Sequence, residues 1–423
     1  MKYYLSILYA LAIPVFMIGT VSAQPISMKE REKELSVLTR ENKSYDQSGI
    51  KFAGLILYTD LRNTVEYTDN LYSSEGALFE DVVHKIRPSV TIKSDFSRHS
   101  LSTTLFLEKG TYKKASGENY IDYTARVSGR MDIFGNIHIP VSIEYTKNHS
   151  QRSDPEDQNE LEPTLYNELI LNTGIDYKGT NLDFLINTNL KYTSFEDNQT
   201  QTLFIDNSDR DRREFFVSAN IGLSKDRLLA PFIFTNLQKI QYDRTIDDNG
   251  LKRSSSSFAG GLGIKMNTLS SLLRSTIRVG GINRSFDDES FDDINDFIYS
   301  AEIAWEPSTL LALNLYVERQ ILESTLNNFS ASIDDIISAS AYYELTPNIF
   351  LNPKFSYLKK NYQGNIRRIL KRSSSELNVI YKLNKNIWLS GSYDYVRQSE
   401  SENSLDLETS DVNLYNLSMK LQI

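Results

Sequence analysis

Asp411-Val412-Asn413-Leu414-Tyr415-Asn416-Leu417-Ser418-Met419-Lys420-Leu421-Gln422-Ile423, at the end of the chain, is the stretch that decides the fold. Side chains of an extended strand alternate between its two faces. Tyr415, Leu417, Met419, Leu421 and Ile423 therefore share one face, and Asn416, Ser418, Lys420 and Gln422 share the other. Lipid offers no water to unpaired backbone groups, so a sheet that spans a bilayer must close by pairing its last strand with its first. The stretch reads as that closing strand.

The same texture recurs upstream. Residues 83–95 set Ile86, Pro88, Val90 and Ile92 against Arg87, Ser89, Thr91 and Lys93. Residues 121–131 set Ile121, Tyr123, Ala125, Val127 and Met131 against Asp122, Thr124, Arg126, Ser128 and Arg130. Residues 137–145, 182–192, 215–223, 297–305, 311–321, 377–383 and 387–395 follow suit. Short connections near 96–98, 134–136, 178–181, 266–270, 306–309, 346–348 and 384–386 alternate with long polar ones. The long ones lie near 68–80, 113–119, 147–164, 194–212, 243–254, 285–295, 323–332, 361–371 and 399–410. This predicts an all-β chain: a transmembrane antiparallel β-barrel of roughly eighteen strands, with short periplasmic turns and long extracellular loops.

Composition agrees. Tyr 25 and Phe 20 against Trp 2 suit strands and interfacial girdles. Mean hydropathy is negative, which excludes a bundle of membrane helices but not a barrel, where only every second strand residue meets lipid. Cysteine is absent, which removes disulfides and thiolate metal sites. A net charge of −9 with no basic block argues against nucleic acid. Lys2, the apolar run 3–21 and the small residues Val21-Ser22-Ala23 read as an export signal over 1–23. No later stretch approaches the ~20 apolar residues of a helical span. Residues 24–49, with Lys29-Glu30-Arg31-Glu32-Lys33-Glu34, read as a periplasmic lead-in, and 50–423 as the barrel. The expected location is the outer membrane of a Gram-negative bacterium.

Some segments go beyond generic barrel texture. Arg87-Pro88-Ser89 leads into Ser94-Asp95-Phe96-Ser97-Arg98-His99, and Glu118-Asn119-Tyr120-Ile121-Asp122-Tyr123 opens a strand. Arg152-Ser153-Asp154-Pro155 with Glu162-Pro163, Asp209-Arg210-Asp211-Arg212, and Tyr242-Asp243 with Gly250 and Arg253 mark long loops. In their order and spacing these resemble the family of outer-membrane β-barrel porins encoded beside exopolysaccharide biosynthesis genes. The closing strand also resembles the C-terminal assembly signal of bacterial outer-membrane barrels, with Ile423 where that signal has an aromatic residue. The family resemblance implies a conduit or accessory barrel in exopolysaccharide secretion. Its partners would be outer-membrane lipid and lipopolysaccharide, polysaccharide, and periplasmic export proteins.

Nothing assembles into a catalytic constellation, so no enzyme, cofactor or metal site is expected. His84, His99, His138 and His149 have no shared ligand spacing; His138 would face the lumen beside Glu144. Asp287-Asp288-Glu289 with Asp292-Asp293 lacks the spacing of a calcium loop and reads as a solvated surface loop. Asp209–Arg213 reads as an ion-pair network that fixes a loop.

The alternation turns bases and acids inward. Arg87, Lys93, Arg126, Arg130, Lys191, Arg274, Arg278, Arg284 and Lys354 are mixed with Glu108, Asp122, Glu144, Asp183, Glu302, Glu318, Glu344 and Asp394. Tyr316, Tyr342 and Trp388 also point in. Guanidinium groups can pair with carboxylates on a polymer and rings can stack on sugars; the bland alternative is that opposed charges brace the wall. The candidates for the solute path are Arg126, Arg130, Arg274, Arg278, Lys191, Tyr316 and Trp388. Three functions follow: a polysaccharide conduit, a diffusion porin for small hydrophilic solutes, and a structural barrel that conducts nothing.

Overall fold

The computed structural model describes residues 37–38, 40, 42, 44–76, 78–152, 162–199, 204–224, 228–267, 272–324, 326, 329–364, 366–403 and 405–423. The expected export signal at 1–23 and residues 24–36 of the lead-in lie outside the described residues. Eighteen strands form the wall. The first nine are β1 Leu55–Thr68, β2 Asp81–Ser94, β3 Ser100–Tyr112, β4 Tyr120–Phe134, β5 Ile137–His149, β6 Leu165–Lys178, β7 Leu182–Phe195, β8 Arg212–Leu223 and β9 Leu229–Tyr242. The rest are β10 Ser255–Asn267, β11 Leu273–Phe286, β12 Ile294–Ser308, β13 Leu311–Glu323, β14 Phe329–Thr346, β15 Ile349–Gly364, β16 Arg368–Lys382, β17 Ile387–Glu402 and β18 Leu405–Gln422. Each pairs antiparallel with its chain neighbours, and β18 pairs with β1.

The closing seam sets Leu421 opposite Leu61, Leu417 opposite Val65 and Tyr415 opposite Tyr67. It ends with the Ile423 N–H donating to the Thr59 carbonyl at 3.0 Å. Among the described residues no edge strand is left in lipid, which is the condition for crossing it with strands.

The alternation puts apolar side chains outside. Leu61, Val65, Val90, Leu105, Ile121, Val127, Ile143, Leu190, Ile221, Ile233, Leu262, Val279 and Leu417 are all exposed on the outer face. In water so continuous an apolar surface would drive association; in a bilayer it is what holds the barrel in place. Aromatic residues gather at both rims, as membrane interfaces favour. Tyr67, Tyr415 and Tyr393 meet near the upper rim, with centroids 6.1 and 5.0 Å apart. Trp305, Tyr343 and Tyr381 lie exposed near the lower one.

The turns between β4 and β5, β12 and β13, and β14 and β15 have two residues, whereas the connections after β1, β5, β7 and β9 are long. Three expected long loops are corrected. Near 323–332, 361–371 and 399–410 the strands continue, leaving connections at 324–328, 365–367 and 403–404. Polar residues there still pair through their backbones, because a ladder needs N–H and C=O groups rather than apolar side chains. The short-turn end also receives the lead-in. Val37 packs with Ala312 and Phe350, and Arg40 pairs with Glu344. Ile50–Phe52 folds back on the start of β1.

Candidate functional site: the inner wall and the loops above it

Cross-strand register fixes what lines the lumen. The seven candidates Arg126, Arg130, Lys191, Arg274, Arg278, Tyr316 and Trp388 all sit on the inner face, and each already has a protein partner. Arg126 pairs with Glu144, which faces it across β4 and β5. Arg130 Nε lies 2.8 Å from Asp132 Oδ1, an atom shared with His138 Nδ1 at 2.6 Å. His138 and Glu144 both face inward, as expected, but they have separate partners, Asp132 and Arg126. Lys191 bridges Glu168 at 2.9 Å and Glu214 at 3.6 Å. Arg274 reaches Glu306 at 2.7 Å, and Arg278 reaches Glu302 at 3.8 Å. Arg278 also lies 5.6 Å over the Phe232 ring, which rests on Gly263 where no side chain intervenes.

Pairing does not seal these groups from water. The Arg126, Arg274 and Glu302 side chains are 53, 45 and 42% exposed, although all three point into the barrel. A wall of eighteen strands is wide enough to hold an aqueous channel.

The inward rings are engaged differently. Tyr316 donates to Glu318 and packs against a buried group of Phe329, Ile336, Leu358, Tyr362 and Leu370. Tyr342 stacks toward Phe350 at 5.4 Å. Trp388 stands at the periplasmic mouth, where Nε1 donates to the Tyr45 carbonyl at 2.9 Å. Lys382 and Lys420 lie 4.4 and 5.2 Å from its ring.

The segments that carried the family resemblance tie connections together. At a periplasmic turn, Arg98 donates to the Asp132 and Ile133 carbonyls and His99 Nδ1 accepts the Asp132 N–H. Arg152 and Glu118 form a buried bidentate pair, both bonds 2.9 Å, between two extracellular connections. Arg210 lies 4.1 Å over the Phe195 ring, and Asp211 accepts the Phe195 N–H at 2.7 Å. The run 209–213 thus combines ring and backbone contacts with ion pairs such as Arg213–Asp243. In the acidic loop, Asp288 accepts from the Lys252 and Ser290 N–H groups.

Arg253 is the centre of one such junction. It pairs with Asp247 at 2.6 Å and donates to the Ser324, Leu326 and Phe329 carbonyls. Burial works to raise the pKa of Asp247, but N–H groups of Leu251 and Asn249 and the Arg253 guanidinium outweigh it and hold it below the usual range. Asp206 is pulled down to about 2, first by the Ser208 hydroxyl and N–H and then by Arg244.

Sequence reading missed two features of the wall. Arg62 lies between Arg87 and Lys420 on the inner face, a juxtaposition visible only once the closing register is known. The seating of Val37, Arg40, Tyr45 and Asp46 in the mouth depends on contacts made across most of the chain.

Among the curated proteins none matches this chain. The solved structure of the outer membrane protein OpdK from Pseudomonas aeruginosa is similar over 87% of this chain and 98% of its own, with a TM-score of 0.42 and 10% identity. OccK9 (OpdG) of the same organism is similar over 87 and 98%, with a TM-score of 0.45 and 11% identity. OccAB3 of Acinetobacter baumannii is similar over 88 and 100%, at 0.43 and 10%. The family model described as "Putative beta-barrel porin 2" matches residues 43–422, and the chain belongs to that family, as an outer-membrane β-barrel porin.

Proposed function

We propose that the protein is a passive diffusion channel for small hydrophilic solutes. The observation that carries this reading is the water-exposed charge inside the barrel, at Arg126, Arg274 and Glu302. Alternating acids and bases on a lumen wall orient water and small polar solutes without a deep binding minimum, which permits entry and release. Export directed by a signal peptide over 1–23 and a surrounding shell of lipopolysaccharide belong to the same proposal.

The polysaccharide conduit rests on the family resemblance and on inward guanidinium groups and rings able to engage a polymer. Against it stand the inward rings: Tyr316, Tyr342 and Trp388 are committed to protein neighbours, so they offer no ladder on which successive sugars could stack. A polymer would also have to pass the segment seated at the periplasmic mouth.

Liposome swelling separates the readings. Purified protein is reconstituted and challenged with arabinose, glucose, sucrose and a dextran. Entry of the small sugars with exclusion of dextran is the expected result. Exclusion of every sugar would defeat the channel and favour a structural barrel.

A further inference from the structure

The inner wall carries an apolar patch at its periplasmic end. Ala312 on β13 faces Tyr342 on β14, and Phe350 on β15 faces Ile380 on β16, all on the inner face. Apolar side chains on a water-holding wall are costly unless something covers them. Val37 covers these. It is buried against Ala312 and Phe350, with Leu38, Tyr342 and Ile380 packed around it.

The seat is matched in charge as well. Glu344 on β14 and Lys382 on β16 are both buried and of opposite sign. Arg40 pairs with the first, and Asp46 pairs with the second, Oδ1 to Nζ 2.9 Å. A segment laid in the reverse direction would meet like charge at both points, so the two pairs fix its direction as well as its place.

From there the chain runs along the rim to the closing seam. Asn42 Nδ2 donates to the Pro347 carbonyl at 3.2 Å, and the Tyr45 carbonyl accepts from Trp388 Nε1 on β17 at 2.9 Å. Gln47 Nε2 donates to the Thr59 carbonyl on β1 at 2.8 Å and to the Ile423 carbonyl that follows β18. The contacts thus touch β13, β14, β15, β16, β17, β18 and β1 in turn, seven neighbouring strands of the eighteen. The segment then turns at Gly49, whose φ of +70° suits glycine, and enters β1 through Ile50–Phe52.

We infer that this strap, carried by Val37, Arg40, Tyr45, Asp46 and Gln47, sets the size limit of the channel by narrowing its periplasmic mouth. A second layer of chain packed on a sheet takes up about 10 Å of depth, here over more than a third of the rim. The inference deepens the diffusion-channel reading and rests on it. The wall makes the passage polar, and the strap decides how large a polar solute can use it.

The chain has no cysteine, so an introduced disulfide can hold the strap down on demand. Wild type is compared with Arg40→Ala/Asp46→Ala, and with that variant carrying Val37→Cys/Ala312→Cys. Each is recorded in planar bilayers and tested by liposome swelling with arabinose, sucrose, raffinose and stachyose. Heat-modifiable gel mobility checks folding, and limited proteolysis checks that the strap is released. If the double-alanine variant is cleaved no faster than wild type, deletion of residues 24–47 takes its place. Release should raise the unit conductance about 1.5-fold, in a barrel whose bare wall is wide enough for water, and should admit a larger sugar than wild type does. Forming the disulfide should return both properties to wild-type values, and reductant should release them again. A released strap with wild-type conductance and sugar limit overturns the inference and leaves the channel standing. Absence of current in every protein overturns both.

Discussion

Asp46 and Lys382 meet as a buried ion pair at the periplasmic mouth, Oδ1 to Nζ 2.9 Å, with side chains 5 and 3% exposed. The pair joins the lead-in to the end of β16, and Lys382 Nζ lies 4.4 Å from both the Phe350 and Trp388 rings. Removing one partner of a buried pair costs about 3–5 kcal/mol, because the other charge is stranded. Lys382→Met should discharge that cost locally, by freeing the lead-in rather than unfolding the wall. Protease should then cut within 37–48 faster than in wild type, at unchanged barrel melting. Equal cleavage rates would mean that the pair does not hold the segment.

The Arg253 junction makes a matching prediction outside the membrane. Arg253→Ala leaves Asp247 with only its Leu251 and Asn249 N–H donors and leaves the Ser324, Leu326 and Phe329 carbonyls without this donor. The cost should again be about 3–5 kcal/mol, taken up by opening 243–254 away from 324–328. Cell-surface protease should cleave 243–254 in the variant and spare it in wild type.

Acid should act on the same loops, and only at low pH. Asp247 and Asp206 have carboxyl pKa values below their unfolded values, Asp206 at about 2. Their stabilisation is therefore complete above the unfolded pKa of about 4 and is lost as pH falls through the folded values. Surface proteolysis should be flat from pH 7 to 5 and rise steeply below about pH 4. A rise already at pH 6 would point to other groups.

Close packing inside the wall gives a stability test. A Cβ added at Gly263 would overlap the Phe232 ring, which is buried and faces it across β9 and β10. Overpacking of this kind costs about 1–3 kcal/mol. Gly263→Ala should lower the heat-modifiability transition, and adding Phe232→Leu should recover part of the loss.

Much of this architecture was legible because strand alternation is a local property. The inward set from Arg87 to Asp394 could be read two residues at a time, without knowing which strands pair. The ends of β14 to β18 were harder. Above the lipid both faces of a strand are wet, so Asn361-Tyr362-Gln363-Gly364 and Ser399-Glu400-Ser401-Glu402 look like loop while their ladder continues. Arg62, Arg87 and Lys420 escaped notice as a group for a different reason. Their juxtaposition depends on the register of β18 on β1, where a one-residue slip would turn Lys420 toward lipid. The link from Asp46 to Lys382 had no sequence signal, since neither residue is unusual in its own neighbourhood.

The most direct measurement is the conductance of the purified, folded barrel in a planar bilayer in potassium chloride. The account predicts stepwise insertions with ohmic current. Folded protein that inserts but carries no current at any applied voltage would contradict it, and the barrel would then be a scaffold rather than a channel.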